Sequence, residues 1–216
     1  MLTIVCNSQK GGSGKTTLCR ILSVQAAREL KKVYLIDTDT QGTLTQWHEA
    51  REAEEPRRVE LPIESLREGL ALLSAQGADY VLIDTPPQAS ATLHEVFDLA
   101  DIVLVPIKPT SDDLKAAAVT VARLKDMGVP FLFVITQAIT HTNITAQAIA
   151  ALSHHGPVAH TIIANRVAYP TAFTDGRSPQ ELDQRGSAAR EITQLWEDIK
   201  ACLHENMKKG RSKKNG

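Results

Sequence analysis

Short, almost continuously apolar runs recur along the chain and constrain its fold more than any other feature. Each run is about four or five residues long and rich in β-branched side chains, as in Leu2–Cys6 and Phe131–Ile135. Such runs are typical of strands buried on both faces, which occur in parallel sheets covered by helices. Six strands are predicted, at residues 2–6, 33–36, 80–83, 102–105, 131–135 and 160–163.

Segments with helical spacing of apolar residues lie between these runs. They cover residues 16–30, 43–54, 63–76, 89–99, 114–127, 144–154 and 187–205. Alternation of strand and helix predicts a doubly wound α/β fold, with a mainly parallel sheet and helices on both faces. Residues 52–60 are charged and contain a proline, which predicts a surface loop. We therefore expect one domain over residues 1–206 and a disordered basic tail over residues 207–216.

The composition is that of a soluble globular protein rather than a disordered, fibrous or membrane protein. Of 216 residues, 43% are hydrophobic and 23% are charged, and no apolar run approaches the roughly 20 residues of a membrane span. The three cysteines lack C-x-x-C spacing, which argues against a disulfide framework or a zinc site. With no targeting segment visible after Met1, we expect a cytoplasmic protein.

A glycine-rich segment at residues 9–17 follows the first strand and precedes the first helix. Glycines let backbone N–H groups approach phosphates, and the helix end adds partial positive charge. Lys15 is expected to reach the β- and γ-phosphates, and the Thr16 hydroxyl to bind Mg²⁺. The predicted nucleotide-binding residues are Lys10, Gly11, Gly12, Ser13, Gly14, Lys15, Thr16 and Thr17.

Carboxylates follow two of the other predicted strands. Asp37 and Asp39 come after the second strand, and Asp84 ends the third, just before two prolines. Because ligands of open parallel sheets bind at the carboxyl ends of the strands, these side chains are expected in the same crevice. Asp84 can hold a water of the Mg²⁺ shell. Asp37 could equally cap a helix or fix a loop.

The glycine-rich segment departs from the ordinary P-loop pattern because Gln9 occupies the first glycine position and a second lysine, Lys10, follows. This segment resembles the deviant P-loop of the ParA/MinD family of ATPases. The resemblance implies that Lys10 reaches the phosphates of a partner subunit in an ATP-sandwich homodimer. It also implies that Asp39 helps to orient the attacking water, and that Asp84 belongs to an Asp-x-Pro-Pro motif. Thr40 departs from the family, which usually has proline there.

Two further segments resemble parts of this family. Residues 105–113 are similar to a proline-containing loop at the dimer face, although a simple strand-to-helix turn is an equal alternative. Residues 164–169 are similar to the segment that contacts adenine in small partition ATPases. The resemblance makes Asn165 the best candidate for the adenine side, whereas Arg166 could be a surface residue or a DNA contact.

Within the family, the chain most resembles short, ParF-like plasmid partition proteins. No guanine-reading sequence is present, so ATP with Mg²⁺ is the expected cofactor. The resemblance implies a weak, partner-stimulated ATPase whose ATP-bound dimer binds DNA non-specifically and associates with the nucleoid. A ParB-like, DNA-bound adaptor would then stimulate hydrolysis. No membrane partner is expected, because no apolar residue follows Met207 and the stripe of the last helix favours packing on the sheet.

Two alternatives stay open on sequence grounds. The same ATPase could position a protein cargo such as an organelle, a chemosensory cluster or a conjugation complex, or the chain could be a metabolic ATPase that shares the fold. No lysine or arginine occurs over residues 126–165, so few basic residues could form a DNA-binding patch. They are Arg166, Arg177, Arg185, Arg190, Lys200 and the basic tail, which could instead be a solubilising end.

Overall fold

The computed structural model describes residues 1–87, 92–139 and 142–214, with the backbone alone for residue 92 and residues 209–214. Its sheet has six strands in the order β3-β2-β4-β1-β5-β6, and every pairing is parallel. The predicted fold class is confirmed. The strands are β1 (Leu2–Cys6), β2 (Val33–Asp37), β3 (Arg57–Arg58), β4 (Tyr80–Asp84), β5 (Ile102–Ile107) and β6 (Phe131–Ile135).

Helices cover both faces of this sheet. They are α1 (Lys15–Arg28), α2 (Thr43–Glu49), α3 (Leu66–Ala75), α4 (Thr92–Asp98), α5 (Ser111–Asp126), α6 (Asn143–Ser153), α7 (Ala168–Phe173), α8 (Pro179–Leu182) and α9 (Ser187–Lys214), and a 3₁₀ turn at Ile63–Ser65 precedes α3. The seven predicted helices are all present, but residues 89–91 of the fourth lie outside the described residues. Sequence periodicity missed α7 and α8, because six and four residues are too short to show it.

Two apolar layers hold the helices against the sheet. Alternate strand residues enter opposite layers, so Ile4 packs beneath α1 and α9 whereas Val5 packs beneath α3, α4 and α5. Trp196 of α9 is fully buried, and its ring lies 5.0 Å from that of Tyr80 in an edge-on contact. The apolar stripe of the last helix therefore packs on the sheet, as predicted. In the described residues, no helix combines the length and the apolar character that crossing a membrane requires.

The predicted strand at residues 160–163 is wrong as a regular element. The chain does run beside β6, since the Ala159 amide donates to the Phe133 carbonyl at 2.8 Å and the Ile163 amide to the Ile135 carbonyl at 2.9 Å. Between these bonds the ladder is interrupted because the Thr161 amide donates to Asp198 Oδ2 at 2.8 Å instead. A tertiary contact from α9 therefore overrides the local strand propensity.

Two other boundaries differ from the sequence-based expectation. Residues 52–60 are not entirely loop, because Arg57–Arg58 forms the edge strand β3 beside β2. Helix α9 continues through Lys214, past residue 206, where we expected the domain to end.

Candidate functional site

Strand β1 lies at the centre of the sheet, between β4 and β5, and the glycine-rich loop begins where it ends. Hydrogen bonds from both neighbouring strands fix the start of this loop. The Asn7 amide donates to the Leu104 carbonyl at 3.0 Å, and the Asn7 side-chain amide donates to Thr85 Oγ1 at 2.8 Å. Thr85 Oγ1 in turn donates to the Cys6 carbonyl at 2.8 Å. The loop therefore starts from a rigid point in the crevice where open parallel sheets bind ligands.

The loop backbone leaves a cradle open to a ligand. Gly12 and Gly14 have φ angles of 69° and 112°, in the left-handed region that glycine tolerates best. A Cβ built on Gly11 would meet no atom within 4 Å. Helix α1 begins after Gly14, an N-cap residue that has no side chain to cap the first amides. Those N–H groups stay available for an anion.

Two side chains that follow β6 hold the outer carbonyls of this loop. Thr136 Oγ1 donates to the Ser13 carbonyl at 2.6 Å, and Gln137 Nε2 donates to the Gly12 carbonyl at 2.7 Å. Gln137 does so with a φ of 52°, a costly conformation for a residue with a side chain. Sequence reasoning missed both residues. The sequence feature that could have identified them is that both are polar residues directly after a buried parallel strand.

Lys15 lies inside the site, with 6% of its surface exposed. Burial lowers the pKa of its ammonium group, while the nearby carboxylates of Asp84 and Asp39 raise it. A cation that has already lost most of its water at the start of a helix is well placed to bind phosphate oxygens.

Thr16 and Asp84 form a pair beneath the loop. Thr16 Oγ1 donates to Asp84 Oδ2 at 2.5 Å, whereas Asp84 Oδ1 is buried without a hydrogen-bond partner among the residues that the structure describes. Burial raises the pKa of Asp84 to about 7, although the bond from Thr16 lowers it. Mg²⁺ takes oxygen ligands and one or two carboxylates, so a partnerless carboxylate oxygen beside a hydroxyl fits this ion.

The two carboxylates after β2 have different surroundings. Asp37 Oδ2 accepts hydrogen bonds from the Thr45 amide at 2.9 Å and from Thr45 Oγ1 at 3.0 Å, in the first turn of α2. Asp37 therefore fixes this helix, one of the two roles left open by the sequence. Asp39 is partly exposed, accepts from the Gln41 amide at 3.0 Å, and lies close enough to Lys15 to affect its pKa.

A pocket of about 270 Å³ lies beside the start of α1. Asn165, the residue predicted for the adenine side, forms part of its wall, and Tyr169 and Phe173 of α7 supply aromatic surface. The buried Tyr169 hydroxyl has no hydrogen-bond partner among the described residues. The lining comprises Gly14, Thr17, Thr136, Gln137, Ile163, Ala164, Asn165, Arg166, Tyr169, Pro170 and Phe173.

Lys10 is exposed at the mouth of the loop, unlike the buried Lys15. It makes no ion pair with any residue that the structure describes. Its charge is thus directed outward, where a second molecule could meet it.

The basic residues proposed for DNA binding are less available than the sequence implied. Three of them contact acids: Arg166 pairs with Glu191 at 2.5 Å, Arg177 with Asp175 at 2.5 Å, and Lys200 with Glu29 at 3.1 Å. Arg185 and Arg190 are exposed, and Arg190 donates to the Arg185 carbonyl. Among the candidates outside the tail, ion pairing therefore leaves mainly Arg185 and Arg190.

Residues 4–179, which are most of the chain, match the profile of the CobQ/CobB/MinD/ParA nucleotide binding domain. The chain belongs to this family. The match contains the glycine-rich loop, both magnesium-site candidates and the pocket wall around Asn165. Membership therefore agrees with a nucleotide site at the carboxyl end of β1.

Several members of the family are similar to this chain. The chromosome-partitioning ATPase Soj of Thermus thermophilus is 27% identical, over 94% of this chain and 96% of Soj. Maintenance of carboxysome distribution protein A of Synechococcus elongatus is 26% identical, over 59% of this chain and 66% of that protein. Two other matches span only about half of the relative, 54% and 52% of its length.

Solved structures support the fold. MinD in the MinC:MinD cell division complex of Aquifex aeolicus superposes with a TM-score of 0.76 at 20% identity, and the alignment covers 93% of this chain and 96% of that one. At this identity the likeness concerns the architecture alone.

Proposed function

We propose that the protein is a partition ATPase that binds ATP with Mg²⁺, dimerises around the nucleotide and hydrolyses it when a partner stimulates it. One observation carries the proposal. The phosphate loop contains a buried lysine, Lys15, and an exposed one, Lys10. At the end of β4, beneath the loop, Asp84 has a buried carboxylate oxygen with no hydrogen-bond partner among the described residues. Lys15 and Asp84 fit a bound nucleotide, and Lys10 fits a nucleotide held by another subunit.

The chain's own residues divide the work of binding. The Lys15 ammonium and the free amides at the start of α1 bind the phosphates, and Asn165 with the aromatic wall of α7 holds the base. Thr16 and Asp84 hold the ion, and Mg²⁺ when bound neutralises phosphate charge. Because Asp84 has a pKa of about 7 without a cation, this carboxyl group must lose its proton before it can serve as a ligand.

Asp39 and Lys10 account for hydrolysis that depends on dimerisation. Asp39 is partly exposed beside Lys15, where its carboxylate can accept a hydrogen bond from the attacking water. Lys10 supplies positive charge to the phosphates of the partner subunit, as an arginine finger does. A single molecule lacks that charge, so its turnover is slow.

For the cargo, we propose a DNA molecule that is segregated by an ATP-bound dimer resting on bulk DNA in the nucleoid. Similarity to a chromosome-partitioning ATPase supports this role. Arg185, Arg190 and the basic tail would contact phosphates without reading sequence. A ParB-like adaptor on the cargo would then trigger hydrolysis and release.

A protein cargo is the second candidate. Two observations favour it: the resemblance to a carboxysome-distribution protein, and the ion pairs that neutralise Arg166, Arg177 and Lys200. In that case an adaptor on a protein assembly replaces the DNA-bound one, and the ATPase site stays the same.

The first test is fluorescence anisotropy of a random-sequence DNA duplex, titrated with protein in ATP–Mg²⁺ and in ADP–Mg²⁺ at several salt concentrations. We expect binding with ATP only, and a log–log salt slope that becomes shallower by about 2 in the Arg185→Ala/Arg190→Ala double variant. Arg67→Ala, an exposed change on α3, is the control and should leave the slope unchanged. Equal or absent binding in both nucleotides would reject the DNA role.

A further inference from the structure

Lys108 is a third lysine near the phosphate loop, and it projects from a rigid part of the fold. It follows Ile107, the last residue of β5, and precedes Pro109, and both of these neighbours are buried. The Ile107 carbonyl accepts from the Thr136 amide at 2.9 Å, and the Lys108 carbonyl accepts from the Thr110 amide at 2.7 Å. The backbone of Lys108 is thus fixed on both sides, and only its side chain is free to change conformation.

That side chain ends against the glycine-rich loop. A Cβ built on Gly12 would lie 3.7 Å from Lys108 Nζ. Apart from the chain neighbours of each glycine, no other described atom comes within 4 Å of that position, and none comes within 4 Å of the corresponding position on Gly11. The ammonium group therefore lies beside the loop at Gly12.

No acid in the described residues balances this charge. Ion pairs are formed by Arg51, Arg57, Arg58, Arg166, Arg177 and Lys200, and Lys108 is not among them. Lys108 is partly buried and close to an open anion cradle. An ammonium group in such a place gains most from an anionic ligand that replaces the lost water.

The position of Lys108 indicates which part of a nucleotide it would meet. The pocket for the base is lined by Gly14 and Thr17, whereas Gly12 and Lys108 are absent from its lining. A phosphate chain that leaves this pocket and passes Lys15 approaches Gly12 with its last group. We infer that the Lys108 ammonium binds the terminal phosphate of ATP and so makes the site prefer a triphosphate over a diphosphate.

This inference rests on the proposed ATP site and adds one residue to it. The test compares Lys108→Ala with Lys108→Arg and with Lys115→Ala, which removes an exposed lysine on α5. Fluorescent derivatives of ADP and of the β,γ-imido analogue of ATP are titrated with each protein in Mg²⁺. Lys108→Ala should weaken analogue binding about 10-fold and ADP binding by less than about 2-fold. Lys108→Arg should recover most of the loss, and Lys115→Ala should match the unmodified protein.

A second measurement does not depend on any variant. Acetylation of lysines, followed by mass spectrometry, should show Lys108 protected by the analogue but not by ADP. If Lys108→Ala weakens both nucleotides equally or neither, or if the analogue does not protect Lys108, the inference is wrong while the ATP site stands. If the unmodified protein binds no ATP analogue at all, the proposed function fails and the inference fails with it.

Discussion

Thr16 Oγ1 donates a 2.5 Å hydrogen bond to Asp84 Oδ2, which joins the first turn of α1 to the end of β4. The other oxygen of the carboxyl group is buried and has no hydrogen-bond partner in the described part of the chain. Without a cation this arrangement favours the protonated acid, because a carboxylate in such surroundings has lost its water without gaining a second donor. The pair is therefore the part of the site that is most sensitive to pH and to magnesium.

Asp84 should make the stability of the ligand-free protein depend on pH. Its pKa rises from an ordinary 3.8 to about 7 in the folded protein, so between these pH values the folded state holds a proton that the unfolded state lacks. The free energy of unfolding should then fall as pH rises through this interval. Asp84→Asn cannot ionise, so its free energy of unfolding should not fall in this way. At pH 8 the free energy of unfolding of the variant should be on the order of 2–4 kcal/mol greater than that of the unmodified protein.

Urea denaturation at pH 4 and pH 8, without nucleotide or Mg²⁺, measures this effect. Asp126→Asn is the control, since Asp126 is exposed at the end of α5 and should keep the pH profile of the unmodified protein. Parallel profiles for Asp84→Asn and the unmodified protein would show that Asp84 ionises normally.

The two lysines of the loop should separate binding from hydrolysis. Lys15→Ala should abolish ATP binding, because Lys15 is the buried cation of the site. Lys10→Ala should keep ATP binding within a few-fold, since Lys10 is exposed, but lose turnover that depends on a second molecule.

Calorimetric titration with ATP–Mg²⁺ measures binding, and phosphate release over a wide range of protein concentration measures the dependence on dimerisation. Turnover per molecule should rise with concentration in the unmodified protein and stay flat in Lys10→Ala. The same rise in Lys10→Ala would remove Lys10 from the mechanism.

The positive φ of Gln137 should lower the stability of the protein, while its side chain positions the phosphate loop. Gln137→Ala loses the bond to the Gly12 carbonyl but keeps the positive φ, whereas Gln137→Gly loses the same bond and relieves the backbone. We expect Gln137→Gly to be about 1 kcal/mol more stable than Gln137→Ala. Both variants should bind nucleotide about 3- to 10-fold more weakly. Denaturation measures the difference in stability, and nucleotide titration measures the loss of affinity. Full nucleotide affinity in Gln137→Gly would mean that the side-chain amide does not position the loop.

Gly176 should tolerate alanine much less well than Gly77, although both have positive φ. A Cβ on Gly176 would lie 2.4 Å from the Arg51 amide nitrogen, whereas nothing lies within 4 Å of the same position on Gly77. Gly77→Ala should cost about 1 kcal/mol, and Gly176→Ala about 3 kcal/mol. The larger cost includes displacement of Arg51, whose buried guanidinium pairs with Glu181 at 2.9 Å. Thermal denaturation gives the comparison, and equal losses would mean that the backbone at Arg51 yields freely.

Local patterns in the sequence predicted the parallel sheet because strands such as Ile102–Ile107 are buried on both faces and read as unbroken apolar runs. They also predicted the phosphate loop, whose glycines and lysines are contiguous. Gln137 and Lys108 could not be found in this way, because they meet the loop only after β5 and β6 are placed in the sheet. The irregular course of residues 160–163 was hidden for the same reason, since Asp198 is 37 residues away from the amide that it holds.

Two carboxylates of α9 also affect whether another chain can extend the sheet at its edge beyond β6. Along the outer edge beyond β6, Asp198 occupies the Thr161 amide and Glu191 occupies the Ala164 amide. These two donors are therefore not available to a neighbouring chain that would extend the sheet at this edge. The opposite edge offers only the two residues of β3. At the edge beyond β6, a contact between two copies of the protein is therefore expected to form through side chains rather than by continuing the sheet from one subunit into the next.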